Sequence, residues 1–333
     1  MKKIITAILF VIFLSVFLYA LGACKKRNDL TRDLVFDIIR GPSGVGLVRL
    51  FEQPPEIDGF NVKMEALANA DLAAARLISG EAKAGILPPN MAAKIASSGI
   101  DIRAAAITGN GMLSLLTLDP DVKSLEDLRG KTIEVAGQGA SPDYVLKRIL
   151  RFYGFDPERD LTLSYSLAYP EIAQSLIAGR VSTALLPEPF ATMALTGRPG
   201  LKVISDIQEE WKRSVAGTNS ATRIFPMTLL VVNGVFADEN PAAVEKILDA
   251  AKNSIEWVTA HPAEAGQLAE KHELGISAAI AAAAIPKSNY VFIPAIEAEA
   301  KASLEALLGA FLENDPVSIG GALPEDKFYF KVM

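Results

Sequence analysis

The chain is poor in the residues that most enzymes use for chemistry. Its 333 residues contain one cysteine, Cys24, and two histidines, His261 and His272. A single cysteine has no intrachain disulfide partner and excludes a thiolate zinc site. Both histidines fall in an Ala- and Glu-rich helical stretch, where they are expected at the surface, far in sequence from any candidate nucleophile. No catalytic residue, metal ligand or cofactor is therefore expected. Basic residues number 33 against 39 acidic ones, and nothing resembles the basic patch that nucleic-acid binding requires.

Charge is also missing from Ile4 to Ala20, just after Lys2 and Lys3. That run has the length of a signal-peptide core and is slightly short of the ~20 residues of a membrane span. It ends in Leu21-Gly22-Ala23-Cys24, which is similar to a bacterial lipobox, where the cysteine is acylated and becomes the new N-terminus. Residues 1–23 are read as a lipoprotein signal peptide, Cys24 as the lipidation site and residues 24–33 as a polar tether. Two or more acyl chains hold a protein firmly on a bilayer. The expected address is an exported protein, lipid-anchored in the cell membrane on its periplasmic or extracellular face. Cleavage removes Lys2 and Lys3, leaving 31 basic against 39 acidic groups and a net charge of −8. The 310 residues that remain suffice for two lobes, each with its own core.

What the chain does contain is an internal repeat. Residues 72–90 read LAAARLISGEAKAGILPPN and residues 172–189 read IAQSLIAGRVSTALLPEP. Leu77-Ile78-Ser79-Gly80 falls on Leu176-Ile177-Ala178-Gly179, and Ile86-Leu87-Pro88 on Leu185-Leu186-Pro187. Each copy predicts an amphipathic helix, a glycine cap, a short apolar strand and a terminating proline. A second pair lies upstream: Val35 to Ile39 then GPSGVG, and Thr132 to Ala136 then GQGASP, each followed by a helix. Two similar α/β lobes with mainly parallel sheets are the expectation. Ligands of such sheets bind beyond the carboxyl ends of the strands, so residues 41–46, 87–90, 137–142 and 186–189 should surround one cleft.

At this point the chain resembles a known family. Ser124-Leu125-Glu126-Asp127-Leu128-Arg129-Gly130-Lys131 is similar to the segment that opens the second lobe of many periplasmic binding proteins. GQGASPDYVLKRIL, LIAGRVSTALLPEPFATMA and PMTLLVVNGVFADENPAAVEKILDA fit the same pattern. Together, over nearly all of residues 34–333, they resemble binding proteins for alkanesulfonates, taurine and nitrate, and those for pyrimidine or flavin vitamin precursors. The resemblance implies a two-lobed α/β fold of the type II periplasmic-binding-protein (Venus flytrap) kind, with the ligand cleft between the lobes. It implies lobe one at 34–115 plus 230–333 and lobe two at 116–229, with Met112–Leu118 and Met227–Asn233 as the crossings. It also implies a monomer that captures a small molecule, then docks on an ABC permease with its ATPase. An enzyme group on this fold, the yeast-type pyrimidine synthases, depends on a histidine and a cysteine-rich motif that are absent here. A sensor module would share the pocket and differ in its partner.

The pocket candidates follow from the glycine turns and strand ends. Ser43, Gly44 and Val45 from one lobe, and Gly139, Ala140 and Ser141 from the other, offer helix-start amides and hydroxyls that favour an anion such as a sulfonate. Pro88 and Asn90 should line the cleft opposite Glu188, whose carboxylate could accept from an amine or ring N–H. Thr108 and Asn110 precede the first crossing, Arg40 and Arg223 are possible anion contacts, and Tyr144, Tyr169 and Phe225 could stack on a ring. Trp257 is expected in the core and the tail from Leu323 on the periphery. Glu188 and the aromatics leave a heterocyclic vitamin precursor open beside the anion.

Overall fold

A computed structural model describes residues 32–215 and 223–331; the expected signal peptide, Cys24 and most of the expected tether lie outside the described residues. The first sheet contains β1 (Arg32–Ile39), β2 (Phe60–Leu67), β3 (Ala82–Leu87), β4 (Ile102–Asn110), β10 (Pro226–Asn233) and β11 (Tyr290–Pro294), in the order β11-β4-β10-β3-β1-β2. The second holds β5 (Leu113–Thr117), β6 (Thr132–Val135), β7 (Thr162–Ser164), β8 (Thr183–Pro187) and β9 (Lys202–Asp206), in the order β7-β6-β8-β5-β9. β10 and β11 run antiparallel to their neighbours in the first sheet, and β5 does so in the second. The remaining strands of each sheet share one direction, as the alternating pattern predicts.

The repeat is realised element by element. Helix α2 (Ala70–Ser79) starts where the Asn69 side chain accepts the Leu72 N–H at 3.0 Å, and ends at Gly80 with φ +74°. Its counterpart α5 (Tyr169–Ile177) opens on Pro170, and Gly179 follows it at φ +70°. Only glycine adopts that left-handed conformation without steric cost. The strands that follow, β3 and β8, occupy the same central place in their sheets.

Sheet membership changes between Asn110 and Leu113 and again between Asp206 and Pro226. The apolar runs expected as crossings are instead the strands just beyond them: β5 lies wholly in the second sheet and β10 wholly in the first. Leu115, Leu116 and Leu229 to Val232 are fully buried within the ladders of single sheets.

The C-terminal third also departs from expectation. Helix α12 (Ala298–Asn314) places Ala300 and Leu304 in the core of the first lobe. Leu307, Leu308 and Phe311 pack with Leu146 and Ile149 of α4 (Ser141–Phe152) in the second. The tail is not peripheral: Phe328, Tyr329 and Phe330 are buried, and the Phe330 N–H donates to Ala104 O at 2.9 Å. Trp257 is only half-buried, under the Arg49 guanidinium, and Trp211 is the fully buried tryptophan.

One buried charge cluster anchors the first sheet. Asp37 of β1 is fully buried and pairs with Arg76 of α2 at 2.9 Å, while Arg76 also reaches Glu65 at 2.9 Å and Glu81 at 3.3 Å. Burial pushes the Asp37 carboxyl up to about 6 against the pull of the Arg76 guanidinium. Arg76→Met should therefore lower the unfolding free energy by about 3–5 kcal/mol, since it strands a buried carboxylate. The raised pKa has a signature in the stability–pH curve. The stability that this group contributes is fully present below about pH 4 and is lost as pH rises through about 6. Urea unfolding across that window should show the loss in the wild type and a flatter curve in Asp37→Asn.

Candidate functional site

The carboxyl ends of the parallel strands in the two sheets face one another across the short link Gly111-Met112. Two contacts between the lobes show this, while the Glu188 N–H, just past β8, extends the β5–β8 ladder to the link by donating to Met112 O at 3.0 Å. A methyl group on Gly41 would sit 3.7 Å from the Phe190 ring of α6 (Phe190–Gly197). The Lys287 ammonium of the first lobe lies 3.4 Å from Thr192 Oγ1 of the second.

On the first lobe, the glycine turn is committed largely to packing. Helix α1 (Pro42–Gly46) is only five residues long. The Ser43 hydroxyl donates to Ile39 O at 3.3 Å, so it is spent within its own turn. Gly44 is required by space, as a Cβ there would fall 2.8 Å from Ile39 O. The Val45 side chain packs in the core with Val48 and Val258, and its N–H, expected to face a ligand, donates to Gly41 O at 3.2 Å. Tyr290, at the start of β11, packs against Gly46 and donates its hydroxyl to Pro42 O at 2.7 Å.

The strand ends are better placed. Pro88 precedes α3 (Pro89–Ser97), whose first turn carries Asn90, and the Oδ1 of Asn90 is buried without a hydrogen-bond partner. Asn110, at the end of β4, is 7% exposed and its Oδ1 likewise has no partner. Thr108 shares a 2.9 Å hydroxyl–hydroxyl bond with Thr228. Buried polar atoms left in this way cost about 1–3 kcal/mol each, which makes them candidates for a ligand's hydrogen bonds.

The second lobe contradicts one expectation directly. Gly139 has φ +75° as a glycine turn requires, but its N–H donates to the Asp143 carboxylate at 2.9 Å. Asp143 is 1% exposed, accepts the Tyr165 hydroxyl at 2.7 Å and pairs with Lys147 at 3.1 Å. Burial and that bond push the Tyr165 phenol up. The positive end of α4 is thus occupied by the protein's own carboxylate. The Ala140 N–H donates to Gly137 O, whereas Ser141 is buried with a hydroxyl that has no partner.

Glu188 is 4% exposed, follows β8 and precedes a cis peptide to Pro189. One carboxylate oxygen accepts the Thr192 N–H at 3.0 Å. Burial raises its pKa, with the Thr192 bonds and the Lys287 charge opposing. Phe225 is not available for stacking: it is fully buried against Trp211, ring centroids 5.5 Å apart. Tyr144 packs on Phe311 and donates to Asp315 at 2.6 Å, and Tyr169 stacks on Phe190. Arg40 and Arg223 are exposed. The sequence reading missed Asp143, Lys287 and Tyr290. The first carried a signal, an acidic residue in the opening turn of a helix; the other two carried none.

His261 stacks on Trp257, and His272 stacks on Phe51 and meets Glu52 at 2.6 Å. Among the described residues, no group of three or more His, Cys, Asp or Glu could hold a metal ion, and no helix is long and apolar enough to cross a membrane.

Two α/β lobes joined by two crossings, with strand ends meeting in a cleft, define a periplasmic-binding-protein fold of the type II kind. The family model described as NMT1/THI5 like matches residues 56–265, and the chain belongs to that family. A solved structure of an ABC transporter from Parabacteroides distasonis is 27% identical with a TM-score of 0.76, covering 91% of this chain and all of that one. The periplasmic aliphatic sulphonate binding protein SsuA from Escherichia coli is 18% identical with a TM-score of 0.69, covering 88% of this chain and 92% of that one. YtlA of Bacillus subtilis (strain 168), a protein named for a binding role, is 22% identical over 259 residues, 75% of this chain and 73% of its own.

The internal carboxylate at α4 is testable. Asp143→Ala leaves the Gly139 N–H and the Tyr165 hydroxyl without their acceptor, so chemical denaturation should show a loss of about 2–4 kcal/mol.

Proposed function

We propose that the chain is the exported, lipid-anchored solute-binding component of an ABC importer, a monomer that captures a small molecule between its lobes and docks on a permease with its ATPase. The observation that carries this reading is the set of buried, unpartnered polar atoms of Asn90, Asn110 and Ser141, together with Glu188, at the strand ends and helix starts beside the cleft. Family membership supports it. So does the likeness to the Parabacteroides distasonis ABC transporter structure.

For the ligand, the geometry favours the heterocyclic precursor over the sulfonate-like anion. A sulfonate or nitrate offers no hydrogen-bond donor to the Glu188 carboxylate, and the α4 helix start that should have welcomed it is neutralised by Asp143. An amino-substituted ring supplies donors to Glu188 and to the two asparagine oxygens. One observation keeps the anion as a second reading: the Lys287 ammonium reaches across to Thr192 beside Glu188.

Native mass spectrometry of the gently purified protein should release a retained small molecule, and calorimetry with that compound separates the two readings by pH. Affinity for an amine-bearing ring should fall as pH drops through the raised pKa of Glu188, because protonation removes the acceptor charge. Affinity for an anion should rise over the same interval. A protein that retains nothing and is stabilised by no member of a panel of sulfonates, nitrate and aminopyrimidines would overturn the binding role.

The anchor rests on Cys24. Cys24→Ser should leave the precursor unacylated and uncleaved, read as loss of fatty-acid labelling and of the lipid mass on intact-protein mass spectrometry, and a wild-type protein that takes up no fatty acid would refute lipidation.

A further inference from the structure

The link Gly111-Met112 is held from three sides. From the first lobe, Asn289 stands just before β11 with φ +44° and is one of two non-glycine residues with a positive φ among the described residues. Its carbonyl accepts the Asn110 N–H at 3.1 Å, and its Nδ2 donates to Gly111 O. A left-handed asparagine costs backbone energy that these two bonds offset.

From the second lobe comes Gln208, in the first turn of α7 (Ile207–Ser214) and 6% exposed. Its Nε2 donates to Arg223 O at 2.9 Å, which fixes the orientation of the amide. Arg223 lies in the second crossing. The other end of the amide, Oε1, has no donor and lies against Gly111, where an added Cβ would fall 2.5 Å from it and equally close to the Phe225 ring. One side chain therefore touches both crossings at once.

The third attachment is functional in position. Asn110 immediately precedes the link, and Met112 O accepts the Glu188 N–H. Any rotation at Gly111 moves Asn110 relative to Glu188.

We propose that Gln208 and Asn289 are positioning residues that clamp the first crossing from opposite lobes, and so couple the angle between the lobes to the placement of Asn110 and Glu188. Gln208 adds a tie to the second crossing, so the two links turn together. The ligand consequence rests on the proposed solute-binding role; the clamp itself does not.

Amide hydrogen exchange of the full-length protein without ligand tests the clamp directly. In Gln208→Met, which deletes the bond to Arg223 O and replaces the polar contact against Gly111, exchange at the Asn110 and Glu188 amides should rise by about tenfold, the scale of one hydrogen bond lost beside the link. Amides of β1 and β6 should stay within about twofold of wild type. Asn289→Gly keeps access to positive φ while deleting the side-chain bond, and should give the same local pattern should Gln208→Met not fold. Unchanged exchange at Asn110 and Glu188 overturns the proposal. A rise shared equally by β1 and β6 also overturns it, because that marks general destabilisation. A protein that shows the local rise but binds no solute keeps the clamp and refutes the capture role.

Discussion

Two residues, Gly111 and Met112, separate the end of β4 in one sheet from the start of β5 in the other. A link that short spans only ~7 Å when extended, so the sheets cannot part at this point. β4 reaches it at its carboxyl end, and β5 leaves it antiparallel to β8. The carboxyl edge of β8 is therefore brought opposite the carboxyl edge of β4. The cleft is a consequence of this connection, and the position of Glu188 beside Met112 follows from it.

The same constraint explains the strand orders. Read from the outer edge inward, β2-β1-β3-β10-β4 in the first sheet corresponds to β7-β6-β8-β5-β9 in the second. In each sheet, the reversed strand among these five is the one the chain forms on arriving from the other lobe. A strand entering from the carboxyl edge must run backwards, and it is buried on both sides because its neighbours were laid parallel to each other. α12 adds a second restraint. With Leu304 in one core and Phe311 in the other, it behaves as a strap beside the hinge. Motions that shear its two apolar faces apart would expose both, whereas rotation about it would not.

The repeat was readable because its punctuation is physical: Gly80 and Gly179 end helices where a left-handed residue is needed, and Pro88 and Pro187 fall at strand ends. The crossings were misplaced by the same kind of reasoning. Apolar runs at 112–118 and 227–233 signal burial, and nothing in them distinguishes a strand from a link that leads into one. Buried polar candidates were legible where the signal was a polar residue at or just past a strand end, as with Asn90, Asn110 and Glu188. Other candidates were misread where the partner is remote in sequence. Val45 is buried by Val258 and Phe225 by Trp211, whereas the Ser43 hydroxyl is consumed locally, by Ile39 O within its own turn. Lys287 and Tyr290 reach the cleft only through tertiary folding.

Asp143 changes the electrostatic logic of the cleft more than any other residue. A helix start gains from a nearby negative charge, but that gain is available once. Here it is taken by a carboxylate bonded to Gly139, Tyr165 and Lys147. A ligand anion arriving at the same turn would meet a satisfied amide and a like charge. Glu188 adds a second acidic group whose burial already raises its pKa, so a further anion would raise that cost. Lys287 offsets one charge but stands at the rim, exposed to solvent, where its attraction is screened. On the proposed reading, discrimination among solutes then follows from hydrogen-bond donors aimed at Asn90, Asn110 and Glu188. A solute lacking those donors leaves the acceptors buried and unpaired, and that penalty separates ligands more sharply than net charge does.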